Sequence, residues 1–421
     1  MNSIITLFQF VLIIITLLLA VLSSFRIAIF SAWTSLFARS RVGRILQILL
    51  LWVAFLVALL GIAIPFFAFF SACLAFLSSI PLALRANHVK GFGGWSLPVV
   101  LATVSVFVAA GQPLGLKVLA LPKADSLPFR PVAYRVVKTY EEGFGFEGIA
   151  ASNNGNLYLS GNQDLDFTRS DYYHSAKGKL IERKPDGTEK ILFQTPLGFT
   201  AGVPVIAEDG SVYLTSHGDT SCIWHIDTSG KANKLAQLPK GAWPNGIDIG
   251  PDHMLYSPDS HLGVIWRINP ATGSVEEALR DQALLARQFI ALAPGANGLH
   301  FKGRDMIVTV SDRTTILVYS MDEQGSFGPA KLLAKGIPSD DFAIRQDGSL
   351  FITTHPYNTI VHISPSGERI IIGKEQQHIL GPTDAVFGRS PSDQNTLYIV
   401  TDGGAFTRGA KSRGELIAME P

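Results

Sequence analysis

Two hydrophobic patterns divide this chain. Up to position 116 apolar residues run on with few polar interruptions, whereas beyond position 132 they come in clusters of four to six separated by Gly, Asp and Ser turns. The first pattern predicts membrane-spanning helices and the second predicts short strands. Ile4 to Leu22 is long enough to cross a bilayer and lacks the basic start of a cleaved secretion signal. The 40 uncharged residues between Arg44 and Arg85 are too many for one span and are broken by Gly61 and Pro65, which fits a helical hairpin. Gly91 to Leu116 supplies a fourth span. The expected organisation is an α-helical transmembrane anchor of about four spans over 1–120, a linker over 121–131 marked by Pro122, Pro128 and Pro131, and an all-β domain over 132–421.

The strand clusters repeat. They run from Gly155 to Ser160, Gly210 to Thr215, His253 to Ser257, Asp305 to Val310, Gly348 to Thr353 and Asn395 to Val400. Each is followed by a further strand, such as Gly263 to Ile268 or Thr359 to Ile363, then a polar turn and an outer strand. Four strands in each of six units predict a six-bladed β-propeller. The last unit ends one strand short, while Val132 to Lys138 is a spare strand at the front. That first strand is expected to complete the sixth blade and remove the open edge.

Counting eight residues back from five of these clusters gives Glu147, Gly202, Asn245, Asn297 and Asp340, a position that recurs about every 48 residues, and a longer turn in the sixth repeat offers Asp384. Equivalent positions of a circular repeat converge on one axis, and a ring of oxygen donors around an axis suits a hard cation. Two carboxylates and two amides favour Ca²⁺; Zn²⁺ would recruit His or Cys, which the ring lacks. The opposing reading is that Asn and Asp simply begin tight turns. Glycine follows the ring residue at Gly148, Gly246 and Gly298, which is expected to let backbone approach the ion.

Charge sharpens the division of the chain. Residues 1–124 hold no Asp or Glu, and residues 125–421 carry 27 basic against 34 acidic side chains, a net charge of −7. An acidic propeller excludes nucleic acid as the natural partner. Arg26 to Arg44 and Arg85 to Lys90 mark two connections as cytoplasmic, so the expected localisation is a multi-pass membrane protein with its propeller on the non-cytoplasmic side. Cys222 is the sole cysteine of the propeller, so no disulfide forms within it. The run Asn162-Gln163-Asp164-Leu165-Asp166 imitates an EF-hand loop but lacks its glycine and closing Glu.

The motifs Phe146-Glu147-Gly148-Ile149, Pro244-Asn245-Gly246-Ile247, Ala296-Asn297-Gly298-Leu299 and Ser339-Asp340-Asp341-Phe342 follow one another in an order that resembles the senescence marker protein, gluconolactonase and paraoxonase family of Ca²⁺-dependent propeller hydrolases. The resemblance covers 132–421. It implies a catalytic Ca²⁺ on the channel axis held by Glu147, Asn245, Asn297 and Asp340, with Asp341 as an extra ligand, and a small-molecule lactone, ester or phosphoester as substrate. Asp340 is then the first candidate for base or nucleophile and Asp384 the second. Paraoxonases place a histidine where this chain has Ala201-Gly202-Val203, so that base is not expected here. His217 and His355 close their strand clusters and are the histidines placed to reach the channel mouth. Two other readings stay open: a strictosidine-synthase-like condensing enzyme, whose relatives lack the metal ring, and a propeller that binds without catalysis.

Overall fold

The computed structural model describes residues 52–53, 56, 124–165, 172–287, 291, 293–355 and 357–421. The expected spans fall on 1–120, outside these residues but for Trp52, Val53 and Leu56. Among the described residues no helix is long and apolar enough to cross a membrane. This finding corrects the localisation expected from the apolar runs, and with it the placing of the propeller on the far side of a bilayer. A hydrophobic run establishes that a segment can be buried, not that lipid does the burying.

Six four-stranded antiparallel sheets build the unit over Leu121–Pro421. Blade 1 is β2 (Phe144–Ala151), β3 (Leu157–Gln163), β4 (Lys177–Arg183) and β5 (Glu189–Gln194). Blade 2 is β6 (Pro204–Ile206), β7 (Val212–Ser216), β8 (Cys222–Ile226) and β9 (Ala232–Gln237). Blade 3 is β10 (Asp248–Ile249), β11 (Leu255–Pro258), β12 (Val264–Ile268) and β13 (Val275–Arg280). Blade 4 is β14 (Ala296–Lys302), β15 (Asp305–Val310), β16 (Thr315–Ser320) and β17 (Lys331–Lys335). Blade 5 is β18 (Phe342–Ile344), β19 (Leu350–Thr353), β20 (Ile360–Ile363) and β21 (Arg369–Gly373). Blade 6 joins β22 (Pro382–Phe387), β23 (Leu397–Thr401) and β24 (Glu415–Glu420) to the first strand of the domain, β1 (Ala133–Thr139).

The ring therefore closes as the spare strand requires, with β1 and β24 in antiparallel register from Ala133 opposite Glu420 to Thr139 opposite Glu415. Pairing the first described strand with the last sheet turns two free edges into one ladder. Just ahead of β1, part of the expected linker is also paired: Phe129 bridges Ile371 of β21, and Arg130 N donates to Ile371 O at 2.9 Å.

Each gap between neighbouring blades is filled by its own apolar cluster. Phe144, Phe146 and Leu159 of blade 1 meet Val400 and Leu416 of blade 6, and Phe342 and Ile352 of blade 5 meet Ile316 of blade 4. The strands are apolar on both faces because each sheet is packed between two others. That packing fixes the innermost strands at the axis, where β2 lies beside β22 and β6, and β18 beside β14 and β22.

The glycines after the ring residues have a different job from the one expected. None of Gly148, Gly246 and Gly298 has a positive φ. A Cβ on Gly148 would stand 2.6 Å from Pro204 Cδ, one on Gly246 would stand 2.9 Å from Asn297 O, and one on Gly298 would collide with the Asp341 carboxylate. They leave room for the next blade's inner strand, not for an ion.

Candidate active site

Bulges aim the ring residues. The register of β2 against β3 slips between Phe146 and Gly148, which leaves Glu147 unpaired and turned out of the ladder. β14 slips between Ala296 and Leu299, around Asn297, and β22 slips between Pro382 and Asp384. Glu147, Asn245, Asn297 and Asp340 all line one cavity of about 370 Å³. Four blades thus deliver one oxygen-bearing side chain each to the same space.

Hydrogen bonding inside the cavity engages Asp340 Oδ1 but leaves the Glu147 and amide oxygens without protein donors. Asn297 donates its Nδ2 to Asp340 Oδ1 at 2.6 Å and to Ser311 Oγ at 2.9 Å, and Asn245 donates its Nδ2 to Ser260 Oγ at 3.3 Å. With the nitrogens so engaged, both amide oxygens are left to face the other way. The Glu147 carboxylate accepts no hydrogen bond from a described residue. Burial and the nearby Asp340 charge raise the Glu147 pKa to about 8, against the pull of His355. Burial also raises Asp340, to about 7, opposed by His355 and by the Asn297 hydrogen bond. Two carboxylates that resist ionisation together, beside two amide oxygens without donors, form a set that a divalent cation would satisfy.

His355 stands beside this set. Its Nδ1 is 3.7 Å from Asp340 Oδ2 and its Nε2 is 3.0 Å from Asp402 Oδ2. Burial disfavours the imidazolium, but Asp402, followed by Asp340 and Glu147, overrides it and lifts the His355 pKa to about 9. Asp402 is in turn held by Gly404 N at 2.7 Å. Phe406, on the short helix α1 (Ala405–Arg408), covers His355 with ring centroids 5.1 Å apart. The cavity walls are largely apolar, from Phe146, Leu165, Tyr172, Trp243, Pro294 and Phe406. Beside Pro294, Asp312 receives Arg287 Nε at 2.9 Å and Ala293 N at 3.1 Å.

The other candidates lie elsewhere. Asp341 and Asp384 do not line this cavity. Asp341 follows Asp340 directly, and along an extended chain consecutive side chains point to opposite sides; its Oδ1 is 3.0 Å from His300 Nε2. Asp384 accepts Ile149 N at 2.9 Å and Ala385 N at 2.7 Å. His217 is buried with Nε2 2.6 Å from Pro244 O, and burial lowers its pKa to about 3, so it serves as a neutral prop beneath Trp243. In the EF-hand-like run, Asn162 is spent on Ala201, donating to its O and accepting its N, and Asp164 on Lys177.

Asp402 was not singled out from the sequence, although a signal for it exists. Ser160, Thr215, Thr309 and Thr353 stand at or next to the ends of their strand clusters and donate across the gap to Gly202 O, Asn245 O, Asp340 O and Thr383 O of the following blade. Two residues after each stands a polar side chain on the same face of the strand: Asn162, His217, Ser311 and His355. The equivalent positions in blades 3 and 6 are Asp259 and Asp402. This second ring, offset from the first, supplies Asn162, Ser311, His355 and Asp402 to the cavity lining.

No family model matches the chain, and no curated protein matches it either. Among solved structures it is similar to a calcium-binding regucalcin from Agrobacterium tumefaciens, at 15% identity and TM-score 0.48 over 70% of this chain and 96% of that one. It is also similar to a gluconolactonase from Xanthomonas campestris, at 16% identity and TM-score 0.47 over 72% of this chain and 97% of that one. A virginiamycin B lyase from Staphylococcus aureus matches at 15% identity and TM-score 0.43 over 68% of this chain and 98% of that one. Regucalcin-like and gluconolactonase proteins are thus among its structural neighbours, and the six-bladed propeller itself is read from the chain's own six sheets.

Proposed function

We propose that the chain is a Ca²⁺-dependent hydrolase of lactones or esters, working in the cavity lined by Glu147, Asn245, Asn297 and Asp340. The observation that carries this reading is the convergence of four oxygen-bearing side chains from four blades, with the Glu147 carboxylate and both amide oxygens free of protein donors, next to a His–Asp pair. The donor set fits the ion: it is all oxygen, mixes carboxylate with amide, and has no thiolate. When bound, Ca²⁺ supplies a positive charge that polarises a substrate carbonyl.

The chain's own residues do the rest. Asp340 Oδ2 accepts the proton of a water that attacks the acyl carbon. His355 Nδ1 faces that oxygen, and Asp402 at Nε2 fixes the ring's orientation. Asp340 hands the proton it took from water to the departing alkoxide as the acyl C–O bond breaks, while the His355 imidazolium beside it stabilises the carboxylate. Phe406, Trp243 and Tyr172 wall the space and keep bulk water from the reacting atoms. Turnover of a lactone and aryl-ester panel with and without a Ca²⁺ chelator tests the reading. Activity that the chelator abolishes, and that Asp340→Asn abolishes while still binding Ca²⁺, is the expected result. An inactive unmutated protein across the panel would favour a propeller that only binds.

A further inference from the structure

On the hydrolase reading above, the groups around the reacting carbonyl decide which substituents a substrate can carry. Beside the proposed Ca²⁺ set, most polar side chains are already committed to the protein. Asn162 Nδ2 donates to Ala201 O at 2.9 Å and its Oδ1 accepts Ala201 N at 2.8 Å. Ser311 Oγ donates to Ser339 O at 2.6 Å, and Thr383 Oγ1 to Val400 O at 3.3 Å. Asp402 is divided between His355 and Gly404. The other polar side-chain atoms of the lining are Ser412 Oγ, Trp243 Nε1 and the Tyr172 hydroxyl, and among the described residues no Lys or Arg lines the cavity. A polyol needs a partner for each hydroxyl it brings out of water, and an anionic substituent needs a cation. This lining suits neither.

Apolar surface is what the cavity does offer. Phe146 is buried, set edge-on against Phe144 and Tyr140 with ring centroids 5.1 and 4.7 Å away. Trp243 rests against the His217 ring at 4.1 Å, and its backbone N donates to Asp259 Oδ2 at 3.1 Å. Phe406 differs from both, because it lines the cavity while remaining 60% exposed. Exposed aromatic surface on a cavity wall is surface that a bound apolar group takes out of water.

The turn that carries Phe406 is tied to the His–Asp pair. Asp402 Oδ2 faces His355 Nε2 at 3.0 Å, while its Oδ1 accepts Gly404 N at 2.7 Å. Gly404 O then accepts Thr407 N at 2.9 Å and Arg408 N at 2.8 Å, which closes α1. Gly403 and Gly404 have φ of 68° and 77°, and a Cβ on Gly403 would collide with Arg413 O, so only glycine lets the chain reverse here. One aspartate thus fixes both the His355 ring and the helix that sets Phe406 over it.

The geometry points to Phe406 as the specificity-determining residue: it binds the alkyl or aryl substituent of a neutral lactone or ester, and the committed polar groups around it exclude sugar lactones and anionic ones.

The test uses δ-lactones that share one reacting ring: unsubstituted δ-valerolactone, pentyl-substituted δ-decanolactone and glucono-δ-lactone, each assayed with the Ca²⁺-saturated full chain. For δ-decanolactone kcat/KM should exceed the other two at least ~10-fold, since each buried methylene contributes roughly fourfold. Phe406→Ala, checked for folding by circular dichroism, should remove most of that advantage through KM and leave δ-valerolactone within about threefold. A merely structural role would lower both lactones alike. The matching lactams, which resist hydrolysis, are titrated calorimetrically into the same protein and separate the two readings. If no lactone is turned over, the hydrolase reading fails by itself, and a pentyl lactam that binds more tightly than gluconolactam and is weakened by Phe406→Ala still supports the apolar site. A sugar lactone or lactam as good as its pentyl counterpart, no lactam binding at all, or an unchanged preference in folded Phe406→Ala would overturn the proposal.

Discussion

Glu147→Gln should make the metal-free protein more stable and the Ca²⁺ response disappear. Glu147 has an ordinary value of 4.5 and a folded value near 8, set first by burial and then by Asp340. Between those values the folded state holds more protons than the unfolded state, so stability falls as pH rises through the window. At pH 7.5 about three units of the shift are expressed, which at ~1.36 kcal/mol per unit is about 4 kcal/mol as an upper figure. Asp340 shares the repulsion and relaxes in part when Glu147 is neutralised, so about 2 kcal/mol is the lower figure. Glutamine keeps the shape and removes the charge. Each kcal/mol moves the melting temperature of a domain this large by about 2–4 °C, so the variant should melt roughly 4–15 °C above the unmutated protein at pH 7.5 in chelator. The two should converge below about pH 4, where Glu147 is largely protonated in both states. Added Ca²⁺ should raise the melting temperature of the unmutated protein and not that of the variant. Differential scanning calorimetry from about pH 3.5 to 8 reads all of this. A metal-free variant no more stable than the parent at pH 7.5 would refute the account of Glu147 as a strained ligand.

Asn297→Ala removes one oxygen of the proposed Ca²⁺ set together with the bonds to Asp340 and Ser311, so activity should fall and partly return at high Ca²⁺, read as kcat/KM against free Ca²⁺. Asp402→Asn leaves the cavity walls intact but frees the His355 ring, so kcat should fall by about 10²-fold with KM within a few-fold. Thr309→Val deletes the hydroxyl between Gly298 N and Asp340 O at nearly constant volume, and denaturant unfolding should show a loss of about 1–3 kcal/mol. Leu416→Ala opens a void in the fully buried cluster that joins blades 6 and 1, at a cost of about 2–5 kcal/mol in the same assay.

Local pattern and repeat spacing determined the fold of the propeller. Strand clusters such as Gly348 to Thr353 mark β19, and the spare strand at Val132 to Lys138 closes blade 6 as β1, because strand period and edge satisfaction act within short stretches or follow from counting. The recurrence of Glu147, Asn245, Asn297 and Asp340 was equally legible, since a circular repeat brings equivalent positions to one axis. What sequence could not decide was direction and depth along that axis. Asp340 and Asp341 are neighbours in the chain, yet one faces His355 and the other His300, and a change of one residue in an extended segment reverses the side chain. Bulges at Glu147 and Asn297 set which residues are turned inward, and they depend on ladders formed with β3 and β15. His355 and Asp402 lie 47 residues apart and His217 sits among similar signals, so only the packing of neighbouring blades shows that the first two meet as a pair and the third props a loop. The glycines make the same point: their missing Cβ atoms matter because of what the adjacent blade places there, a contact that no local pattern contains.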